Sequence, residues 1–196
     1  MKGLRAAVVS TIALSAFAVN LAAAPLVNLD QNWSGKDIKT WYDATQGSRL
    51  MPLDWFLALE QPDSSSRFLA DEHIAKFGYL PRPGQLPVGF ARDDTPADQL
   101  AMTALRWTSA QKANENWIGL NCAACHTGEI TYRGSRMRVE GGLALDDFQG
   151  LIEALNRSLI QTRDQPDKFE RFASRVLAKS NNKASDRELL KKACPT

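Results

Sequence analysis

The sequence predicts a mainly α-helical domain with one small β-hairpin. Apolar residues recur at i, i+3 and i+4 spacing in several segments, most clearly over residues 145–159, which is the period of a helix with one buried face. Apolar residues alternate instead on both sides of a turn at residues 133–136, which is typical of a hairpin. The chain has 196 residues, 44% of them hydrophobic and 23% charged, so it is long and apolar enough to fold around a core.

The other elements are predicted from start and stop signals. A helix follows Ser34, a residue type that caps helix N-termini, and ends by Gly47. Gly78 ends a later helix in the same way. The predicted helices span residues 34–47, 51–60, 67–76, 96–116, 145–159 and 167–179, with a loop over residues 81–89 and a short charged segment over residues 186–193.

The N-terminus has the pattern of a secretory signal peptide. Lys2 and Arg5 precede an apolar run over residues 6–26, and small residues at its end predict cleavage between residues 18 and 25. An uncleaved membrane anchor is the alternative, because about 20 apolar residues can span a bilayer. The run is rich in Ala and Ser rather than Leu, which favours cleavage. We therefore expect a periplasmic or secreted protein with no stable membrane span.

The charge balance excludes one class of partner. The chain has 24 basic and 22 acidic side chains, a net charge of +2, and Lys2 and Arg5 lie in the segment that we expect to be removed. The mature chain then carries no net charge and no cluster of basic residues. Nucleic acid is therefore excluded as a partner.

One short motif carries the predicted chemistry. Cys122-Ala123-Ala124-Cys125-His126 is the attachment sequence of c-type haem. On a helical turn, residues i, i+3 and i+4 share a face, so both sulfurs and the imidazole point in the same direction. Each sulfur can bond one haem vinyl group, and His126 can then bind the iron as an axial ligand. The sequence thus predicts one covalent haem c per chain.

Two other kinds of site use similar residues. Exported thiol–disulfide proteins also place Cys-x-x-Cys at a helix N-terminus. A zinc site could use two Cys and one His, but it needs a fourth ligand, and no second pair of Cys or His is near the motif. The third cysteine, Cys194, has no predicted role.

The residues around the motif resemble the first haem site of the di-haem cytochrome c peroxidase superfamily, especially its branch of rubber-oxygenase-like di-haem cytochromes. Trp117-Ile118-Gly119-Leu120-Asn121 before the motif and Thr127-Gly128-Glu129-Ile130 after it carry the strongest likeness. Weaker matches lie at residues 52–61, 73–80, 132–134, 140–142 and 167–169. The resemblance implies a cytochrome c-like helical haem domain over residues 25–180, after a signal peptide at 1–24 and before a charged C-terminal tail at 181–196.

The same resemblance implies redox chemistry. It suggests electron transfer or, if the chain is an enzyme, a haem oxidoreductase of the peroxidase or oxygenase type, with a redox partner protein or a small oxidant. Members of the superfamily carry two haems on a much longer chain, whereas this sequence has one Cys-x-x-Cys-His motif. We therefore expect a truncated form of such a protein, with a genuine single-haem form as the alternative. A non-catalytic haem-binding remnant is the alternative, beside the thiol–disulfide protein.

The second axial ligand of the iron is left open by the sequence. His73 and Met137 are the candidates, although each lies in a segment where an ordinary packing role explains it equally well. Downstream of His126 the chain has no histidine, and Met137 is the only methionine. We therefore expect His126 to be the only strong protein ligand.

Overall fold

The computed structural model describes residues 25–95, 105–109, 116–180 and 183–194. Of these residues, 44% are helical and 18% lie in strands, and the strands form two three-stranded sheets. The fold is therefore a mixture of α and β, and the prediction of a mainly α, cytochrome c-like domain with a single hairpin is wrong. The predicted signal peptide and most of the predicted helix over residues 96–116 lie outside the described residues.

The described helices and strands are interspersed along the chain. The helices are α1 (Gly35–Asp43), α2 (Leu53–Ala58), α3 (Asp71–Ile74), α4 (Cys122–Cys125), α5 (Phe148–Asp164), α6 (Pro166–Val176) and α7 (Ala184–Ala193). The strands are β1 (Leu26–Asn28), β2 (Met51–Pro52), β3 (Phe90–Asp93), β4 (Trp117–Leu120), β5 (Thr127–Tyr132) and β6 (Ser135–Glu140). Short 3₁₀ turns follow α3 at Ala75–Phe77 and α6 at Ala178–Ser180.

The hairpin sheet has the strand order β1-β6-β5. Strands β5 and β6 form the predicted antiparallel hairpin, and Arg133 and Gly134 both take positive φ angles at its turn, as a two-residue hairpin loop requires. Strand β1 adds in parallel to β6, with Val27 beside Met137. Strand β1 carries no periodic signal in the sequence, because it has only three residues and its partner lies more than a hundred positions away.

The core sheet has the order β2-β4-β3 and is antiparallel. Its strands are two to four residues long, too short to show a period of two, which is why the sequence analysis missed them. Gly119 lies in the central strand β4, where a Cβ atom would lie 1.8 Å from the Ser48 carbonyl oxygen. This close approach lets the chain before β2 lie flat against the strand that leads into the cysteine motif.

The main hydrophobic core lies between the core sheet and helices α2, α5, α6 and α7. Trp55 on α2 packs edge-on against Trp107 at 5.4 Å and against Phe172 on α6 at 5.7 Å between ring centroids. The fully buried large side chains are Trp55, Tyr79, Phe56, Phe68, Phe90, Phe172, Leu59, Ile74, Ile118, Leu151, Leu177 and Leu190. All twelve belong to one continuous cluster, so the helices and the core sheet share a core.

The C-terminal segment packs as part of this domain. Helix α7 buries Leu190 completely and Cys194 almost completely in the main core, and Asp186 accepts hydrogen bonds from the backbone and hydroxyl of Ser109. Residues 183–194 are therefore ordered against the helices rather than extended into solvent as a tail. Burial raises the pKa of the Cys194 thiol to about 11.

No helix within the described ranges is both long enough and apolar enough to cross a membrane.

Candidate haem-attachment site

The cysteine motif forms a single helical turn, α4, between strand β4 and strand β5. Cys122, Cys125 and His126 are exposed, whereas Ala123 and Ala124 are buried. The turn therefore presents the two thiols and the imidazole to solvent while the two alanines hold it against the domain. The sequence prediction that these residues lie on a helical turn agrees with this arrangement, with His126 at the residue that ends the turn.

Asn121 fixes the start of the turn. Its side-chain oxygen accepts a hydrogen bond from the backbone N–H of Ala123, which makes it the N-cap of α4. Its Nδ2 donates to three carbonyl oxygens at the end of α1, those of Trp41 and Tyr42 at 3.2 Å and that of Ala44 at 2.9 Å. One buried amide thus joins the cysteine motif to helix α1. The sequence analysis missed this residue, although an Asn directly before a helical turn is a recognisable cap.

Gly89 holds the other side of the turn. Its φ is +81°, its carbonyl accepts from the N–H of Asn121 at 2.9 Å, and a Cβ atom there would lie 2.1 Å from the backbone nitrogen of Ala124. Only glycine tolerates both the left-handed conformation and this contact. The loop before β3 therefore supports the inner face of the motif.

A cavity of about 510 Å³ reaches Asn121, the residue directly before the motif. Trp33 and Trp41 line it and meet edge-on at 5.6 Å between ring centroids. Gln46 also lines it, and its Oε1 accepts from the Cys122 thiol at 3.0 Å. The Trp41 indole N–H donates to the Thr127 hydroxyl at 3.0 Å, which fixes that ring directly beside the residue that follows His126.

The segment at residues 141–147 borders the motif beside Cys125. The Gly141 N–H donates to the His126 carbonyl at 2.7 Å, and the Ala144 N–H donates to the Cys125 carbonyl at 3.0 Å. The Cys125 sulfur lies 3.6 Å from a carboxylate oxygen of Asp146. Partial burial, and then the negative charge of Asp146, raises the pKa of the Cys125 thiol.

A charged network supports the hairpin sheet from its inner face. Arg138 is buried and donates to Glu129 at 3.0 Å, and Arg136 donates to the same carboxylate at 2.7 Å. Glu140 accepts from the hydroxyl of Tyr42 on α1. Burial and this acidic neighbour raise the pKa of Tyr42 to about 12. The Tyr42–Glu140 contact joins the hairpin sheet, which follows the motif, to helix α1, which Asn121 also contacts.

The spacing and the exposure of the three side chains are those that covalent haem requires. Haem c needs two accessible sulfurs at i and i+3 and an accessible imidazole at i+4, and it does not need all three to converge on one ion. Zinc does need that convergence. Among the described residues, no group of three or more His, Cys, Asp or Glu side chains is placed to hold a metal ion, so the zinc alternative has no support.

The two candidate second ligands lie in different environments. His73 is buried between Phe68 and Phe77, its Nδ1–H donates to the Phe68 carbonyl at 2.7 Å, and burial lowers its pKa. It lines a cavity of about 610 Å³ whose lining includes no motif residue. Met137 is half-buried on β6, beside Ile130 on the face of the hairpin sheet opposite the charged network. The structure does not bring His73 together with the motif, and it places Met137 on the neighbouring hairpin.

Comparison with known proteins gives one relative of interest. A protein of Sinorhizobium fredii (strain NBRC 101917 / NGR234), described as "Uncharacterized protein y4iJ", is 36% identical over 188 residues. The match covers 90% of this chain and 31% of that protein, so this chain spans about a third of the length of its curated relative. No family model matches the chain, and no solved structure matches it.

Proposed function

We propose that this protein is an exported c-type cytochrome with one covalent haem on Cys122 and Cys125 and with His126 as the axial iron ligand. One observation carries the proposal. The five-residue motif forms a helical turn in which the two cysteines and the histidine are exposed and the two alanines are buried. This is the arrangement that lets both sulfurs reach the vinyl groups of one porphyrin while the imidazole reaches its iron.

The haem would supply one-electron chemistry at iron, and the protein residues would position it. The thiols would fix the porphyrin edge, and Asn121 and Gly89 would hold the turn that carries them. Because the motif lies on the surface of the described domain, the haem edge would be open to a redox partner protein or a small oxidant. The proposal therefore covers electron transfer and peroxidase- or oxygenase-type chemistry, as the resemblance to di-haem peroxidases implies.

A thiol–disulfide function has less support. Such sites depend on stabilised thiolates. Of the two thiols, Cys125 is not stabilised as a thiolate, since partial burial and Asp146 both raise its pKa. That chemistry also gives no role to the exposed imidazole of His126.

The test is expression with the full leader in a bacterial host that has the cytochrome c maturation machinery. We expect a haem-stained band on a denaturing gel and a mass that equals the processed chain plus one haem. Cys122→Ala and Cys125→Ala should each lose the doubly attached haem. Cys194→Ala is the matched control, because this third cysteine is buried in the main core whereas the two motif cysteines are exposed, and it should retain the haem.

A wild-type mass without haem, carrying a disulfide between Cys122 and Cys125, would contradict the proposal and favour the thiol–disulfide function. N-terminal sequencing of the same sample tests export, with a first residue expected between positions 19 and 25.

A further inference from the structure

One apolar patch on the surface has no partner in the described structure. It consists of Ile130 on β5 with Leu143 and Leu145 in the segment before α5, and these side chains are 56%, 79% and 90% exposed. All three line a cavity of about 380 Å³ whose lining also includes Thr127 and Gly128. The cavity beside the patch therefore reaches the two residues that directly follow His126.

Backbone contacts fix the patch next to Cys125. Ala144, between the two leucines, donates its N–H to the carbonyl of Cys125, and Asp146, directly after Leu145, contacts the Cys125 sulfur at 3.6 Å. Leu145 is therefore flanked in sequence by two residues that touch Cys125. Any group bonded to that sulfur would lie beside Leu145.

Two glycines let the segment approach this closely. A Cβ atom on Gly128 would lie 2.8 Å from the Leu143 carbonyl oxygen, and one on Gly78 would lie 2.2 Å from the Leu145 carbonyl oxygen. The Asp147 N–H donates to the Phe77 carbonyl at 2.8 Å. The backbone of the segment is thus held at several points, while its leucine side chains face water.

We infer that Ile130, Leu143 and Leu145 form the surface against which the porphyrin packs. The inference rests on the proposed covalent haem. A porphyrin bonded to Cys125 is a flat, apolar group fixed by its bond beside Leu145, and packing it there removes the exposed leucines from water. The polar edge of the macrocycle would lie away from this surface, toward solvent.

The first test is the reduction potential of the haem-loaded protein. An apolar surrounding disfavours the more charged ferric state and raises the potential, so the double variant Leu143→Gln and Leu145→Gln should show a lower midpoint potential with the haem still attached. Leu57→Gln is the matched control, since Leu57 is also an exposed leucine, 47% accessible, and lies on α2 beside Lys179 rather than the motif. It should leave the potential unchanged.

The second test does not depend on redox chemistry. Amide hydrogen exchange of residues 141–147 should be slower in the haem-loaded wild type than in the haem-free variant with both Cys122→Ala and Cys125→Ala. The loop at residues 61–66, whose residues line neither cavity beside the motif, serves as the internal control and should exchange equally in both.

The outcomes separate the two proposals. A wild type that carries haem but shows equal potentials in all variants and no protection of residues 141–147 would overturn this inference and leave the covalent haem standing. A wild type without haem would overturn both.

Discussion

Gly89 and Ala124 are packed so closely that a Cβ atom on Gly89 would lie 2.1 Å from the backbone nitrogen of Ala124. The contact joins the loop before β3 to the middle of the cysteine motif. Because Gly89 also has a φ of +81°, its position depends on glycine in two independent ways. The packing of Ala124 against Gly89 therefore determines which side of the motif faces solvent.

The first prediction separates these two requirements. Gly89→Ala should destabilise the protein through both the strained φ and the clash, whereas Gly84→Ala, with φ +72° and nothing within 4 Å of its Cβ, should suffer only the strain. We expect a loss of about 1 kcal/mol for Gly84→Ala. Gly89→Ala should lose a further ~2 kcal/mol. Urea unfolding measures both, and equal midpoints for the two variants would contradict the close contact.

The second prediction concerns the amide of Asn121. Asn121→Asp keeps the oxygen that caps α4 but replaces the donor to three carbonyls with an acceptor, so the carbonyls of Trp41, Tyr42 and Ala44 lose their partner. Unsatisfied buried carbonyls and a nearby carboxylate should cost about 3 kcal/mol. Urea unfolding gives the free energy, and haem staining should show a lower yield of attached haem.

The control for this variant is Asn32→Asp, which makes the same chemical change at an exposed residue with a φ of 60°. Its effect should be within about 0.5 kcal/mol. If Asn121→Asp were equally mild, then the amide would not be what attaches the motif to α1.

The third prediction is a pH dependence of stability. Asp93 is fully buried, and the hydrogen bond from Arg49 at 2.7 Å lowers the pKa of its carboxyl to about 2. A carboxyl with a lowered folded-state pKa stabilises the fold above its unfolded pKa of 3.8, and this stabilisation is lost as the pH falls toward 2. The shift corresponds to up to about 2 kcal/mol.

Unfolding in urea between pH 6 and pH 2 measures this effect. Asp93→Asn should be less stable than the wild type at pH 6, and the difference should shrink by about 2 kcal/mol as the pH falls to 2. Asp63→Asn removes a carboxylate from a surface pair with Arg157, where the Asp63 side chain is 78% exposed, and should change the profile little. If the free energy of unfolding changed with pH in the same way for the wild type and for Asp93→Asn, then the Arg49–Asp93 pair would not be the cause of the pH dependence.

The sequence was sufficient for the features that depend on local signals. The Ser34 cap with its capping box, the hairpin turn at Arg133 and Gly134, and helices α5 and α6 all lie within a few residues of their predicted bounds. The helical turn of the cysteine motif was predicted for the same reason, since its spacing alone defines it. These elements are encoded by residues that are adjacent in the chain.

The sequence was insufficient where structure depends on distant partners. Strand β4 pairs with β2 and β3 from far upstream, and no periodicity in four residues could reveal it. Met51 and Pro52 have the pattern of a helix start, yet they pair with β4 before α2 begins. These short strands pair over long sequence separations and were not predicted. The sequence therefore predicted a mainly α fold, whereas the structure is a mixture of α and β.

The last prediction concerns the coordination of the iron in the haem-loaded protein. We expect His126 to be its only strong protein ligand within the described residues, which gives a high-spin ferric spectrum and rapid carbon monoxide binding in the ferrous form.

The two other candidate ligands, His73 and Met137, are not placed at the motif. His73 is held by its hydrogen bond to the Phe68 carbonyl and faces a cavity whose lining includes no motif residue. Met137 is half-buried on the hairpin sheet. His73→Ala and Met137→Ala should therefore leave the visible spectrum unchanged, although each should lower the free energy of unfolding. The loss should be about 2–4 kcal/mol for the buried His73, which leaves the Phe68 carbonyl without its donor. It should be about 1 kcal/mol for the half-buried Met137. A low-spin spectrum with a methionine-to-iron charge-transfer band that disappears in Met137→Ala would instead show that the hairpin folds over the haem and supplies the sixth ligand. A low-spin spectrum that disappears in His73→Ala would require the α3 region to move to the motif and would make the protein a bis-histidine electron carrier.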